Sequence, residues 1–366
     1  MTREGKFGVQ EAVCLLVITM VTKVFYTSPS MIMKTVGTTG WYMTIISAVT
    51  AAIGFTFVYF LLKHFPGKNI MEAYDLALGR IGGFIFSFLL LSILLITVSI
   101  NTREFAEVLM IYVMPLSPPS FIIGLQCCVF VLAAFLGLES IARASKLFAG
   151  VLLLGLITVL ILSAQNYNYH YLFPIFGYGI GTTVYNGIFR SSAYGDLIIV
   201  AVFANSLQGI NHIKKAGYVS FAISGIILTI VILTFTMSFP YYTGREITAP
   251  MHLMTSLINY GIFFQRLEPI FLFVWNISSV ISSTVLFYMV LMLYCHIFRI
   301  RDKRPLIIPL TIVLFSLAMI PESITFLITD YIQGLRMYGW TLFFLPPMIA
   351  LFVAKIRGKK GDTKHA

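Results

Sequence analysis

The sequence predicts an all-α membrane protein of ten spanning helices, built as five plus five, with the first and sixth spans broken. Three observations predict it. The 366 residues are 58% hydrophobic and only 11% charged, with a mean hydropathy of +0.91, where a soluble chain would carry about a quarter charged residues. Apolar runs of about 20 residues, the length that crosses a bilayer, recur ten times. Two of those runs carry a charge beside a helix-disrupting residue.

The first run, Val9 to Met33, is long enough to span, but Lys23 sits near its middle and Thr27-Ser28-Pro29 follows. Proline lacks an N–H donor and disfavours helix in the residue before it. Irregular backbone at membrane depth is tolerated where protein buries it or where it lines a cavity. The run therefore reads as a discontinuous span beside a binding cavity. A kinked helix with a snorkelling lysine is the plainer alternative.

The ten candidates lie near 9–33, 41–63, 83–102, 119–137, 147–164, 191–210, 217–239, 268–297, 306–327 and 338–355. Basic residues set their orientation. One side holds Arg3, Lys6, Lys63, Lys68, Arg80, Arg143, Lys146, Lys214, Lys215, Arg299, Arg301, Lys303, Arg304, Lys355, Arg357, Lys359, Lys360 and Lys364, which is 18 of the 25 Lys and Arg. The other side holds Lys34, Arg103, Arg190, Arg245, Arg266 and Arg336, with Lys23 left over. By the positive-inside rule both termini are expected in the cytoplasm. The first run is too long for a cleavable signal peptide, and no small-residue cleavage site follows it.

The net charge of +11 does not indicate nucleic acid, because the basic residues punctuate apolar runs and form no patch. Between spans 2 and 3, residues 65–82 place Ile70, Ala73, Tyr74, Ala77 and Leu78 at helical spacing opposite Glu72, Asp75 and Arg80. This predicts an amphipathic helix on the inner membrane surface. The loops 165–190 and 240–265 are long enough to form outer lids or to serve as connectors.

Span 6 repeats the fault of span 1. Ser191-Ser192-Ala193-Tyr194-Gly195-Asp196 precedes the apolar run Leu197 to Ala204. Paired broken helices in two halves point to a transporter-type site at the interface of inverted repeats. Half-helix ends expose free N–H and C=O groups that suit a carboxylate and an ammonium. The predicted ligand residues are Thr27 and Ser28 at the first break and Ala193, Tyr194 and Gly195 at the second. Asn276, Ser279, Ser282 and Ser283 form a polar stripe on span 8, and Thr97 lies on span 3; these serve either a ligand or close helix packing.

Lys23 and Asp196 are the predicted intramembrane charge pair, acting as a structural ion pair or as a titrating couple. Glu104 and Glu107 are rival partners for Lys23. No cofactor or metal is expected: the six histidines are scattered, and Cys14, Cys127, Cys128 and Cys295 form no ligand pattern. No nucleophile–base–acid set shares an element, so an enzyme is not expected.

Several of these motifs occur together, in order, in one family. They are Phe65-Pro66-Gly67-Lys68-Asn69; Arg103-Glu104-Phe105 with Met114-Pro115-Leu116-Ser117-Pro118; Gly137-Leu138-Glu139 with Arg143; Leu172-Phe173-Pro174; Tyr194-Gly195-Asp196; Arg266-Leu267-Glu268 with Phe271 and Trp275; and Arg304-Pro305-Leu306. The chain resembles the B subunit of spore germinant receptors (GerAB-type), relatives of amino acid–polyamine–organocation transporters. The resemblance implies a LeuT-like fold, a nutrient pocket for an amino acid, partner A and C subunits, and the inner membrane of the spore. It leaves an autonomous amino-acid transporter, proton-coupled through Lys23 or Asp196, as the alternative. The family's Gly-x-Gly before the span 1 proline is replaced here by Thr22 and Val24 around Lys23. A lysine there fills part of the pocket or selects an acidic or uncharged ligand.

Overall fold

The computed structural model describes residues 5–261 and 267–358. Arg3, Arg266, Lys359, Lys360 and Lys364 lie outside the described residues. Among the described residues, the elements of regular structure are helices joined by turns and short loops.

Span 1 is two helices, α1 (Val9–Val21) and α2 (Ser28–Val36), joined by a 3-10 turn, Thr22–Phe25. Pro29 falls in the first turn of α2, where its missing N–H costs nothing. The proline therefore starts a helix rather than bending one. Next come α3 (Gly40–His64) and α4 (Ile70–Tyr112).

The start of α4 is fixed by a capping box. Asn69 accepts from the Glu72 backbone at 2.9 Å, and the Glu72 carboxylate accepts from the Asn69 backbone at 3.2 Å. Gly79, at φ 81°, kinks the helix, a conformation that glycine adopts without strain. The stretch before the kink is the helix expected over 65–82. It corrects one expectation: Ile70, Ala73, Tyr74 and Ala77 are buried inside the protein rather than laid on lipid.

The helices α5 (Pro119–Leu136) and α6 (Leu138–Leu162) meet at Gly137. Span 6 is more divided than expected. It runs as α7 (Ile180–Phe189), a 3-10 stretch Arg190–Leu197, and the short α8 (Ile198–Val202). It therefore begins at Ile180, not at 191. The preceding half is too short, and too interrupted by Gly181, Asn186 and Gly187, to register as an apolar run.

The chain continues with α9 (Ile210–Ser238), α10 (Tyr241–Gly244), α11 (Pro250–Ser256), α12 (Glu268–Ile297), α13 (Arg304–Met319), α14 (Ile324–Phe326) and α15 (Gln333–Ile356). The ninth run stops at Met319 because Pro321-Glu322-Ser323 cannot continue the helix. The last helical run resumes well before 338, through a π-helical stretch Leu327–Ile332 into α15.

Among the described residues, seven helical runs are long and apolar enough to cross a membrane, and α13 is a shorter apolar helix. Ile45, Val49 and Ile53 on α3, Leu125 and Leu132 on α5, and Leu154 and Ile161 on α6 are exposed. Outward apolar stripes of this kind suit lipid. Inside, α12 packs along α4, α3 along α9, and α1 against α6, α9 and α12. α12 is the most enclosed of the long helices. α11, between α9 and α12, packs on the first break, on α9 and on α12.

Candidate functional site

The two breaks meet. Lys23 lies in the 3-10 turn of span 1 and Asp196 in that of span 6. The Lys23 Nζ is 2.6 Å from Asp196 Oδ2 and donates to the Ala193 carbonyl at 2.6 Å. The two side chains are 8% and 1% exposed. The 3-10 winding around Ala193 leaves backbone carbonyls out of the α-helical pattern, and the lysine takes one of them. A buried amine is thus answered by a carboxylate and a carbonyl, as burial of a charge demands.

Glu104 does not compete for Lys23. It reaches the same break from α4, where its Oε1 accepts from the Thr27 backbone N–H at 3.1 Å and from the Thr27 hydroxyl at 2.6 Å. Thr27 caps the N-terminus of α2, a position where negative charge is favoured. The protein's own carboxylate therefore occupies the anion position that the break creates. Glu107 is paired with Arg103 one turn earlier, at 2.6 Å.

Lys23, Ser28, Ala193 and Tyr194 line one cavity of about 50 Å³ between the breaks, together with Arg190 and Arg336. It has room for small molecules of the size of water but not for a whole amino acid. Arg190 donates to the Thr35 hydroxyl at 2.8 Å. The two arginines are the site residues that sequence reasoning missed, since both were assigned to outer loops. Arg190 stands three residues before Ala193, and that adjacency to the break was the available signal.

The other predicted ligand residues lie elsewhere. Thr97 bonds the Ile93 carbonyl at 2.7 Å, and Asn276 the Leu272 carbonyl at 2.6 Å. Ser279, Ser282 and Ser283 are buried within the helix bundle and do not line this cavity. Tyr26 stands beside Ser279. Thr27 faces Glu104. Gly195 is pressed against Phe343, whose ring lies 2.2 Å from where a β-carbon would sit. Aromatic residues of α12 brace the first break: Trp275 meets Tyr26 edge-on at 5.8 Å, and Phe271 meets Phe25 at 5.7 Å.

A family model described as "Spore germination protein" matches residues 7–327. The chain belongs to the spore germination protein family. The ordered motifs had pointed to the same family. Similar curated proteins include Spore germination protein KB of Bacillus subtilis (strain 168), 22% identical over 90% of this chain and 89% of that protein. Spore germination protein A2 of the same organism is 23% identical over 87% of each.

Among solved structures, the chain is similar to Mhp1, a nucleobase-cation-symport-1 family transporter in a closed conformation with bromovinylhydantoin bound. The TM-score is 0.64 at 14% identity, over 97% of this chain and 94% of that one. It is also similar to an Eremococcus coleocola manganese transporter mutant, with a TM-score of 0.57 at 14% identity over 94% and 76%. The fold is LeuT-like, that of permease-type multi-pass membrane proteins.

Several family motifs have structural roles here. Asn69 caps α4. Glu139 pairs with Arg143 at 2.5 Å, and the Pro174 carbonyl accepts from the Thr38 hydroxyl. Arg304-Pro305 opens α13.

Proposed function

We propose that this chain is the nutrient-sensing B subunit of a germinant receptor. It would take a small germinant, of the amino-acid class, at the paired breaks and signal to A and C subunits in the spore inner membrane. The observation that carries this reading is Lys23 of one break, held by Asp196 and the Ala193 carbonyl of the other. A ligand that displaces or reinforces that link favours one arrangement of the breaks over the other, and its leverage is its differential affinity for the two.

The seven long helices, the shorter α13 and the two broken segments support a ten-span count. The basic-residue asymmetry supports cytoplasmic termini. The small cavity at the breaks, about 50 Å³, fits a receptor whose breaks move apart to seat a whole germinant.

The likeness to transporters over nearly the whole chain favours a second reading, an autonomous amino-acid transporter. Uptake of radiolabelled L-amino acids by the purified chain in liposomes separates the two. The receptor reading expects no uptake above protein-free liposomes, and co-purification of A and C subunits from spores. Uptake by the chain alone overturns it.

A further inference from the structure

The cavity between the breaks holds more positive charge than the protein answers. Lys23, Arg190 and Arg336 all line it. Asp196 is committed to Lys23. Glu104 is committed to Thr27, and Asp196 and Glu104 reach Arg336 only through their longer-range fields. Counting these five groups leaves one positive charge unanswered at the cavity, where partial burial makes an unpaired charge costly.

Donors are unanswered as well. Arg190 is only 9% exposed, yet its Nε has no acceptor, and neither does the hydroxyl of Tyr194 beside it. Among the described residues, the Arg336 guanidinium makes no ion pair and no hydrogen bond. Arg336 is partly buried, and Arg190 is the more buried guanidinium of the two; such groups are normally paired, and their forked donors match carboxylate geometry. The position at the α2 N-terminus, the other place in the site that attracts anions, is already filled by Glu104.

We propose that Arg190 and Arg336, with Lys23, form a site for a small monovalent anion: a halide, or the carboxylate head of a small molecule. The inference rests on the reading of the breaks as a ligand cavity. The charge count selects a single negative charge. The volume of about 50 Å³ admits an ion or a carboxylate head and excludes a bulky anion. Arg190 and Arg336 then act as the anion's ligands, while Lys23 stays bridged to Asp196 and adds its field.

The test uses the full chain in lipid nanodiscs, with the thermal midpoint followed at constant ionic strength. The sodium salt of morpholinoethanesulfonate, a bulky sulfonate that carries no carboxylate, is replaced stepwise by sodium chloride or sodium acetate. A saturable rise in midpoint is expected. Arg190→Gln and Arg336→Gln should each weaken the apparent affinity about tenfold. Lys34→Gln, an exposed cation outside the cavity, should leave it unchanged.

A rise with both anions or with acetate alone assigns carboxylate recognition, and a rise with chloride alone assigns a halide. Chloride-35 NMR line broadening on the unaltered chain, reversed by acetate, reads the same site without any variant. The proposal is overturned if neither anion gives a saturable rise, or if the rise survives both arginine substitutions undiminished. Germination of spores carrying the unaltered chain is scored separately. Germination without an anion effect sinks this proposal alone; an anion effect without germinant response sinks the sensing role alone.

Discussion

Lys23 and Asp196 stand 173 positions apart in the sequence, and their charged atoms lie 2.6 Å apart inside the bundle. Each comes from the broken part of its own span. The breaks and the charges answer each other: the 3-10 turns bring the two backbones close, and the ion pair removes the cost of placing either charge there. The Ala193 carbonyl completes the shell around the amine.

The second carboxylate at the breaks gives the first prediction. Glu104 holds both donors of Thr27. Glu104→Gln keeps an acceptor but loses the charge, and should cost about 1 kcal/mol. Glu104→Ala orphans the N–H at the start of α2 and should cost about 1–3 kcal/mol. Unfolding free energy in mixed micelles reads the cost, and amide exchange at residues 27–30 shows whether the loss is local. Equal stability of all three proteins would contradict the cap.

Gly195 gives a steric prediction. A methyl group there meets the Phe343 ring well inside contact distance, so Gly195→Ala should cost about 1–3 kcal/mol. Adding Phe343→Leu should recover part of the loss. An unchanged midpoint for the single variant would show that α15 does not press on the second break.

The α11 helix over the first break carries a pH prediction. Burial holds His252 below the ordinary imidazole value of 6.5, with the Glu268 charge acting in the opposite direction. Its ring lies 4.4 Å from that of Tyr112. Well above pH 6.5 the ring is neutral whether α11 is docked or free. As pH falls from there, the free form takes a proton that the docked form resists, so docking weakens with acidification. Hydrogen exchange over 250–256, corrected for intrinsic rates, should quicken from pH 7.5 to 5.5 in the native protein. His252→Gln should remove that dependence, and persistence of it would assign the effect elsewhere.

Much of this architecture was legible in the sequence, because a bilayer imposes strong rules. Length and hydropathy marked the long helices, and the charge in each of two apolar runs marked the breaks. Pro29 marked the first break, and the structure shows it there in the first turn of α2.

Other features were hidden for physical reasons. The first half of span 6, Ile180–Phe189, is too short to register by hydropathy. Arg190 and Arg336 looked like loop charges because snorkelling cations are ordinary near span ends. The serines of α12 have the same periodicity whether they face a ligand or a neighbouring helix, so spacing alone did not decide between them. The helix that starts at Ile70 is amphipathic, and amphipathicity does not say whether lipid or protein covers its apolar face.

The most direct test of the account is a double-mutant cycle on the pair that joins the breaks. Unfolding free energy is measured for the native chain, Lys23→Met, Asp196→Leu and the double variant. Each single change strands a buried charge and should cost about 3–5 kcal/mol, while the double change should cost far less than their sum. Costs that add to within about 0.5 kcal/mol would contradict the claim that Lys23 and Asp196 hold the two broken spans together.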